Sequence, residues 1–180
     1  MKVLLVRIKN YENESLENEI KTFFEQKRCE LLIESNDLQN LETIPSRLLE
    51  LSNSVDYMIG VGLAGFFILA ETNSNSKIVI NPCMTPSALP DLSAEYQEAL
   101  RQLEEKTYSM ADAEMRVATY GIFTNEADVQ DKELFVRIYG RDMCGMNNYC
   151  IKENLIGQQN LKFRIEESTK YFEHICSLNC

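Results

Sequence analysis

The residues of greatest chemical interest lie in the stretch YMIGVGLAGFFILAE, residues 57 to 71, which has the pattern of a strand, a sharp turn and a helix. A small-x-Ser-x-small motif at such a turn presents a serine nucleophile, and the small residues are needed because the helix packs closely on the strand. Here the small positions are Gly60, Ala64 and Gly65, but the position of the nucleophile is Gly62. The turn therefore has the flanking residues for covalent catalysis without a side chain that could attack.

The same turn matches a second glycine pattern, G-x-G-x-x-G, at Gly60, Gly62 and Gly65. In dinucleotide-binding proteins this pattern lets a pyrophosphate approach a helix N-terminus. Two features of the context disfavour this interpretation. The turn follows the third predicted strand rather than the first, and the next strand, KIVINP, does not end in an acidic residue. We expect no cofactor at this turn.

Predicted strands and helices alternate along the chain. Short β-rich apolar runs predict strands at 2–8, 29–35, 55–61, 77–82 and within 115–123, with a weak sixth strand at 141–144. Apolar residues at helical spacing predict helices over 14–27, from about 44 onward, over 63–72, over 92–106, up to Gly140, and around 165–175.

This alternation predicts one α/β domain spanning residues 1–180. It would be a three-layer sandwich, with helices on both faces of a central, mostly parallel sheet of five or six strands. We expect the strand order 2-1-3-4-5-6, which rests on right-handed crossovers and on the resemblance described next, with the first and last helices on one face. Functional loops would follow the carboxyl ends of the strands, after residues 8, 35, 61, 82, 124 and 144.

Four segments carry a resemblance to a known family. The run IGVGLAGFF is followed, after a short helix, by IVINPCMTP; TYGIFTNEADVQDKELFVRIYG spans 119–140, and MCGMNNY spans 143–149. Together these resemble the small α/β-hydrolase esterases of the YqiA/YcfP type. In that family a G-x-S-x-G-G-aromatic elbow precedes a strand ending in Asn-Pro. The resemblance implies a reduced α/β-hydrolase fold and a site built for carboxylic esters.

The departures from this family fall on its catalytic positions. The family's serine corresponds to Gly62, its histidine to Asn147 or alternatively Asn148, and its aspartate to Ala127 or Asp128. Its His-Gly turn after the first strand, which helps form the oxyanion hole, is replaced here by residues 8–10, Ile-Lys-Asn. Glycine cannot attack a carbonyl, and asparagine cannot accept a proton near neutral pH. The resemblance thus implies a degenerate site.

Other residues offer weak substitutes for the missing groups. His174 lies in the last predicted helix, where we interpret it as a helix-flank residue. Cys83 could act as a nucleophile only if its pKa were lowered, and Ser87 has no visible base. Glu126 and Asp128 could form a carboxylate pair, but adjacent acids in a turn are usually solvated, and Asp128 could instead cap the following helix.

Composition limits the partners. The 180 residues carry a formal net charge of −10, which disfavours nucleic acid and anionic membranes as partners. The six cysteines are scattered without a C-x-x-C pair, and His174 is the single histidine, so we expect no metal site. The first residues, MKVLLVRIKNYENE, lack the pattern of a signal peptide, which favours a cytoplasmic location.

These observations lead to one hypothesis and two alternatives. We expect a non-catalytic α/β-hydrolase-fold protein with a binding or scaffolding role, whose partner would be a small molecule or a protein. Its pocket would be formed by Gly62, Leu63, Cys83 and Asn147, and the backbone N–H groups at Leu63 and the helix N-terminus would suit a small anion or a carbonyl. The alternatives are an active ester or thioester hydrolase with a different catalytic set, and an acidic module that binds a basic partner.

Overall fold

The computed structural model describes residues 1–27, 29–71, 76–111, 119–123, 126–139 and 149–152. Six strands form one sheet: β1 Lys2–Ile8, β2 Glu30–Asn36, β3 Tyr57–Val61, β4 Ser76–Ile80, β5 Thr119–Ile122 and β6 Tyr149–Lys152. The helices are α1 Glu14–Gln26, α2 Ile44–Ser52, α3 Leu63–Ala70, α4 Ala94–Ala111 and α5 Val129–Tyr139. Short 3₁₀ segments cover Leu38–Thr43 and Pro86–Ala88.

The sheet is wholly parallel and has the order β2-β1-β3-β4-β5-β6. This confirms the predicted α/β fold and strand order. The sixth strand lies at Tyr149–Lys152, later than the 141–144 that the sequence suggested. Residues 141–144 themselves, and the helix expected around 165–175, lie outside the described residues.

The helices divide between the two faces as right-handed crossovers require. From β1 the chain runs to β2 at one edge of the sheet and then crosses over β1 to β3 on its other side. The strands β4, β5 and β6 follow in order toward the opposite edge. A right-handed connection therefore places α1 on one face and the helices α2 to α5 on the other. In the structure, α1 packs through Ile20, Phe23 and Phe24, and of the described helices it alone contributes to that layer of the core.

The centre of the molecule is the pair formed by β3 and α3. Every residue of β3 is buried, and every residue of α3 is buried as well. A helix that is apolar on all sides must be enclosed on all sides, and α2 and α4 flank α3 accordingly. The turn between β3 and α3 is thereby held at the carboxyl edge of the sheet by a rigid strand and a rigid helix. None of the described helices is both long and apolar enough to cross a membrane.

Candidate functional site

The turn after β3 has the backbone geometry of a sharp elbow. Gly62, the residue before α3, has φ +57° and ψ −122°, a region that residues with a Cβ rarely occupy. Its N–H donates to the carbonyl of Ile80 at 2.9 Å, and its own carbonyl accepts from the N–H of Cys83 at 3.0 Å. The elbow is thus tied to the end of β4 and to the loop that follows.

Small residues let α3 approach this turn. A Cβ added to Gly60 would lie 2.7 Å from the carbonyl carbon of Ala64 and 2.7 Å from Cδ1 of Ile68. A Cβ on Gly65 would lie 3.2 Å from the carbonyl oxygen of Gly60 and 3.3 Å from Cβ of Pro82. The small positions noted in the sequence are therefore packing requirements, and the Asn-Pro that follows β4 contributes to the same contact.

Gly62 itself faces open space. A Cβ built on it would meet no heavy atom within 4 Å, and the residue is half-buried. A side chain at this position would project from the carboxyl edge of the sheet, as a nucleophile must in order to reach a substrate. The packing of the elbow leaves room for such a side chain, but the sequence does not supply one.

The loop after β1 is occupied by its own hydrogen bonds. The N–H of Lys9 donates to the carbonyl of Asn36 at 2.9 Å, and the N–H of Tyr11 donates to the carbonyl of Ile8 at 3.0 Å. Asn10 lies between them with φ +67°. Two N–H groups that could otherwise stabilise an oxyanion are therefore already engaged.

Asp128 serves as the N-cap of α5. Its Oδ1 accepts from the N–H of Gln130 at 2.8 Å and from that of Asp131 at 3.0 Å, and the residue is exposed. This confirms the capping role considered from the sequence. Ala127 is half-buried against the core. Asn147, its alternative Asn148, and His174 lie outside the described residues, and Glu126 is exposed.

Asp131, which the sequence did not single out, contacts the loop after β4. Its Oδ1 accepts from the N–H of Met84 at 2.9 Å and from the Oγ1 of Thr85 at 3.2 Å. Burial raises the pKa of Asp131, and these hydrogen bonds oppose that shift. In the sequence, Asp131 is marked only by its position, three residues after the N-cap Asp128 in the first turn of α5.

Two further polar groups lie beneath the same loop. Glu104 is buried on α4 and accepts from the N–H of Ser87 at 2.7 Å. The hydroxyl of Tyr108 is buried without a hydrogen-bond partner among the described residues, and burial, followed by the charge of Glu104, raises its pKa. The sequence offers one sign of this cluster, because Glu104 continues the buried face of α4 that begins at Leu100.

Cys83 is not an activated thiol. Burial raises its pKa to about 12, and the negative charge of Asp131 adds to that effect. A nucleophilic cysteine needs the opposite environment, in which nearby positive charge or a helix N-terminus stabilises the thiolate. The backbone of Cys83 holds the elbow, while its side chain stays protonated at neutral pH.

We expect Cys83 to react slowly with iodoacetamide. A pKa of about 12 instead of 9.0 lowers the thiolate fraction about 1,000-fold at neutral pH. The higher nucleophilicity of a more basic thiolate recovers part of this loss, which leaves a rate on the order of 50-fold below that of an unperturbed thiol. Mass spectrometry of the Cys83 peptide, in the folded and the urea-unfolded chain, measures the ratio. Equal rates would indicate an unperturbed thiol and contradict this prediction, and a faster rate in the folded chain would indicate an activated thiol and revive Cys83 as a nucleophile.

A cavity of about 610 Å³ opens at the same edge of the sheet, beside the loops that follow β1 and β2. Its walls come from residues 9–11, 37–39 and 91–93, together with Tyr96 at the start of α4. As for metals, the described residues contain no group of three or more His, Cys, Asp or Glu side chains placed to hold an ion.

The chain is similar in structure to the esterase domain of a protein from Rhodothermus marinus. The TM-score is 0.56 at 10% sequence identity, and the match covers 83% of this chain and 75% of that chain. A scan against models of protein families found no match, and neither did a comparison with curated protein sequences. At this identity the likeness shows an esterase-like α/β fold. The YqiA/YcfP type and the degenerate state of the triad stay predictions.

Proposed function

We propose that this chain is a non-catalytic member of the esterase-like α/β folds, which binds a ligand at the carboxyl edge of its sheet without hydrolysing it. One observation carries the proposal: the elbow after β3 keeps its backbone geometry and the open space above it, but the residue at its apex is Gly62.

The residue type at the apex of the elbow affects both the backbone strain of the turn and its chemistry. A side chain at φ +57° and ψ −122° costs on the order of 1–3 kcal/mol, a strain that is found at catalytic residues. Glycine adopts the same backbone without that strain. With glycine at its apex, the turn can keep its structural and binding role. It then has no backbone strain from a side chain and no nucleophile.

The neighbouring polar groups do not form a substitute catalytic set. The pKa of Cys83 is raised, the carboxylate of Asp128 caps α5, and that of Asp131 accepts two hydrogen bonds from the loop after β4. A general base must be within reach of a group whose proton it removes. Asp131 accepts from the hydroxyl of Thr85, which lies in the loop after β4 and not at the apex, where Gly62 has no hydroxyl to be activated.

The charges around the elbow indicate the kind of group that it could bind. The first N–H groups of α3, beginning at Leu63, have no partners within the helix and suit an acceptor. However, the carboxylates of Asp131, Glu104 and Asp128 all act on the thiol of Cys83, whose backbone bonds to Gly62. This negative field disfavours an anion, so a neutral carbonyl is the better fit of the two acceptors.

Ester turnover tests the proposal. We expect p-nitrophenyl acetate and butyrate to be hydrolysed at the same rate in the presence of the folded protein as in the presence of the urea-unfolded protein. Turnover above that background, abolished by one substitution at the elbow or in the loop after β4, would contradict the proposal and support an active hydrolase.

A salt-sensitive complex with a basic protein would instead favour the acidic interaction module. Nucleic acid is not expected to bind, because the net charge is −10.

A further inference from the structure

The cavity beside the loops after β1 and β2 contains one charge that no residue in the described part of the chain balances. Lys9 and Asp37 both line it and face each other, with Nζ and Oδ2 3.7 Å apart. Asp91 also lines it, and none of the residues that the structure describes forms a hydrogen bond or an ion pair with the Asp91 side chain. The lining therefore has a net charge of −1, carried by Asp91.

Two aromatic rings line the same space. Tyr11 enters from the loop after β1 and Tyr96 from the first turns of α4, and both are half-buried against the core on the side of α2 to α5. Phenol rings attract cations through their faces, and their carbon atoms also pack against a hydrocarbon chain. The combination of aromatic faces with a carboxylate suits an organic cation better than a neutral or anionic compound.

We propose that this cavity binds an organic cation, an alkylammonium group whose charge lies against Asp91 and whose stem packs between Tyr11 and Tyr96. The volume of about 610 Å³ is within the range of small-ligand sites. An anion is disfavoured because the one ammonium of the lining, that of Lys9, is already paired with Asp37. The inference rests on one part of the proposed function, namely that the protein binds a ligand at the carboxyl edge of the sheet without converting it.

Three probes of similar size and different charge test the assignment: n-butylammonium, butyramide and butyrate. Titrations followed by ¹⁵N chemical shifts should show n-butylammonium perturbing the amides of Asn10, Leu38 and Ser93, which surround the cavity. Butyramide should bind more weakly and butyrate least. Raising the salt concentration should weaken n-butylammonium binding, because the site is open to solvent.

Two variants test the named contacts. Asp91→Asn removes the charge at a residue with φ +64°, a conformation that asparagine tolerates well, so folding should be preserved. The substitution should weaken n-butylammonium binding about three- to fivefold, because Asp91 is exposed and solvent screens its attraction for the cation. Tyr96→Leu keeps apolar packing, removes the ring face, and should weaken binding about two- to fivefold. The matched control is Glu105→Gln, which removes one exposed charge of α4 outside the cavity and should leave binding within about twofold of the native protein.

The proposal is overturned if butyramide or butyrate binds as tightly as n-butylammonium, or if Asp91→Asn has no more effect than Glu105→Gln. Ester turnover separates this failure from failure of the proposed function. A protein that hydrolyses esters and still binds n-butylammonium through Asp91 would contradict only the absence of catalysis. A protein without turnover that does not bind the cation would contradict only the cation site.

Discussion

The Gly62→Ser variant is expected to stay unlabelled by a fluorophosphonate probe, as the native protein should. The new hydroxyl would have room, since a Cβ at Gly62 meets no atom within 4 Å. It would lack a base, because Asn147, where the family resemblance places the histidine, cannot accept its proton near neutral pH. In serine hydrolases the loss of nucleophile or base lowers turnover about 10⁶-fold, so labelling should remain at background. The measurement is in-gel fluorescence beside an active serine esterase.

Two companion variants make this result interpretable. Gly62→Ala introduces the same backbone strain, on the order of 1–3 kcal/mol, without a hydroxyl, and so reports whether the turn still folds. Gly62→Ser combined with Asn147→His restores both family positions, and weak labelling of this protein alone would support the alignment of Asn147 with the family's base. Strong labelling of the native protein, mapped to a serine elsewhere, would show that its chemistry lies at another site.

Gly60→Ala is expected to lower the free energy of unfolding by about 3 kcal/mol, at the upper end of the usual cost of overpacking. Its Cβ would lie 2.7 Å from the carbonyl carbon and 2.8 Å from the carbonyl oxygen of Ala64, and 2.7 Å from Cδ1 of Ile68. A side chain can rotate away, but the backbone of α3 cannot. The helix must therefore move off β3 at the centre of the core. Urea unfolding followed by circular dichroism measures the change.

The other glycines of the turn provide matched controls for this prediction. Gly62→Ala has positive φ but open space, so its cost is limited to backbone strain, on the order of 1–3 kcal/mol. Gly65→Ala makes contacts of 3.2 and 3.3 Å, which small shifts of its neighbours can relieve. Gly60→Ala should therefore be the most destabilising of the three substitutions. The slope of the unfolding free energy against urea concentration should be unchanged. A smaller effect at Gly60 than at Gly62 would mean that α3 does not pack on β3 as closely as described.

Much of the fold follows from local patterns in the sequence. The predicted first strand, 2–8, is β1 itself, and Pro45 lies in the first turn of α2, where a proline can be accommodated. The strand order follows from a general rule, the right-handedness of parallel crossovers, rather than from particular residues. The strand at Tyr149–Lys152 was not predicted because it is four residues long, and so short a run has little periodicity.

The sequence by itself determined the alternation of elements, the small residues of the elbow, and the absence of a side chain at Gly62. Only the tertiary structure decided that Gly62 has open space above it, that Asp131 and Glu104 meet the loop after β4, and that Asp91 shares a cavity with Tyr11. The physical reason is that periodicity and propensity act over a few neighbouring residues. The convergence of loops from separate crossovers depends instead on how the helices pack against the sheet, which brings together residues far apart in the chain.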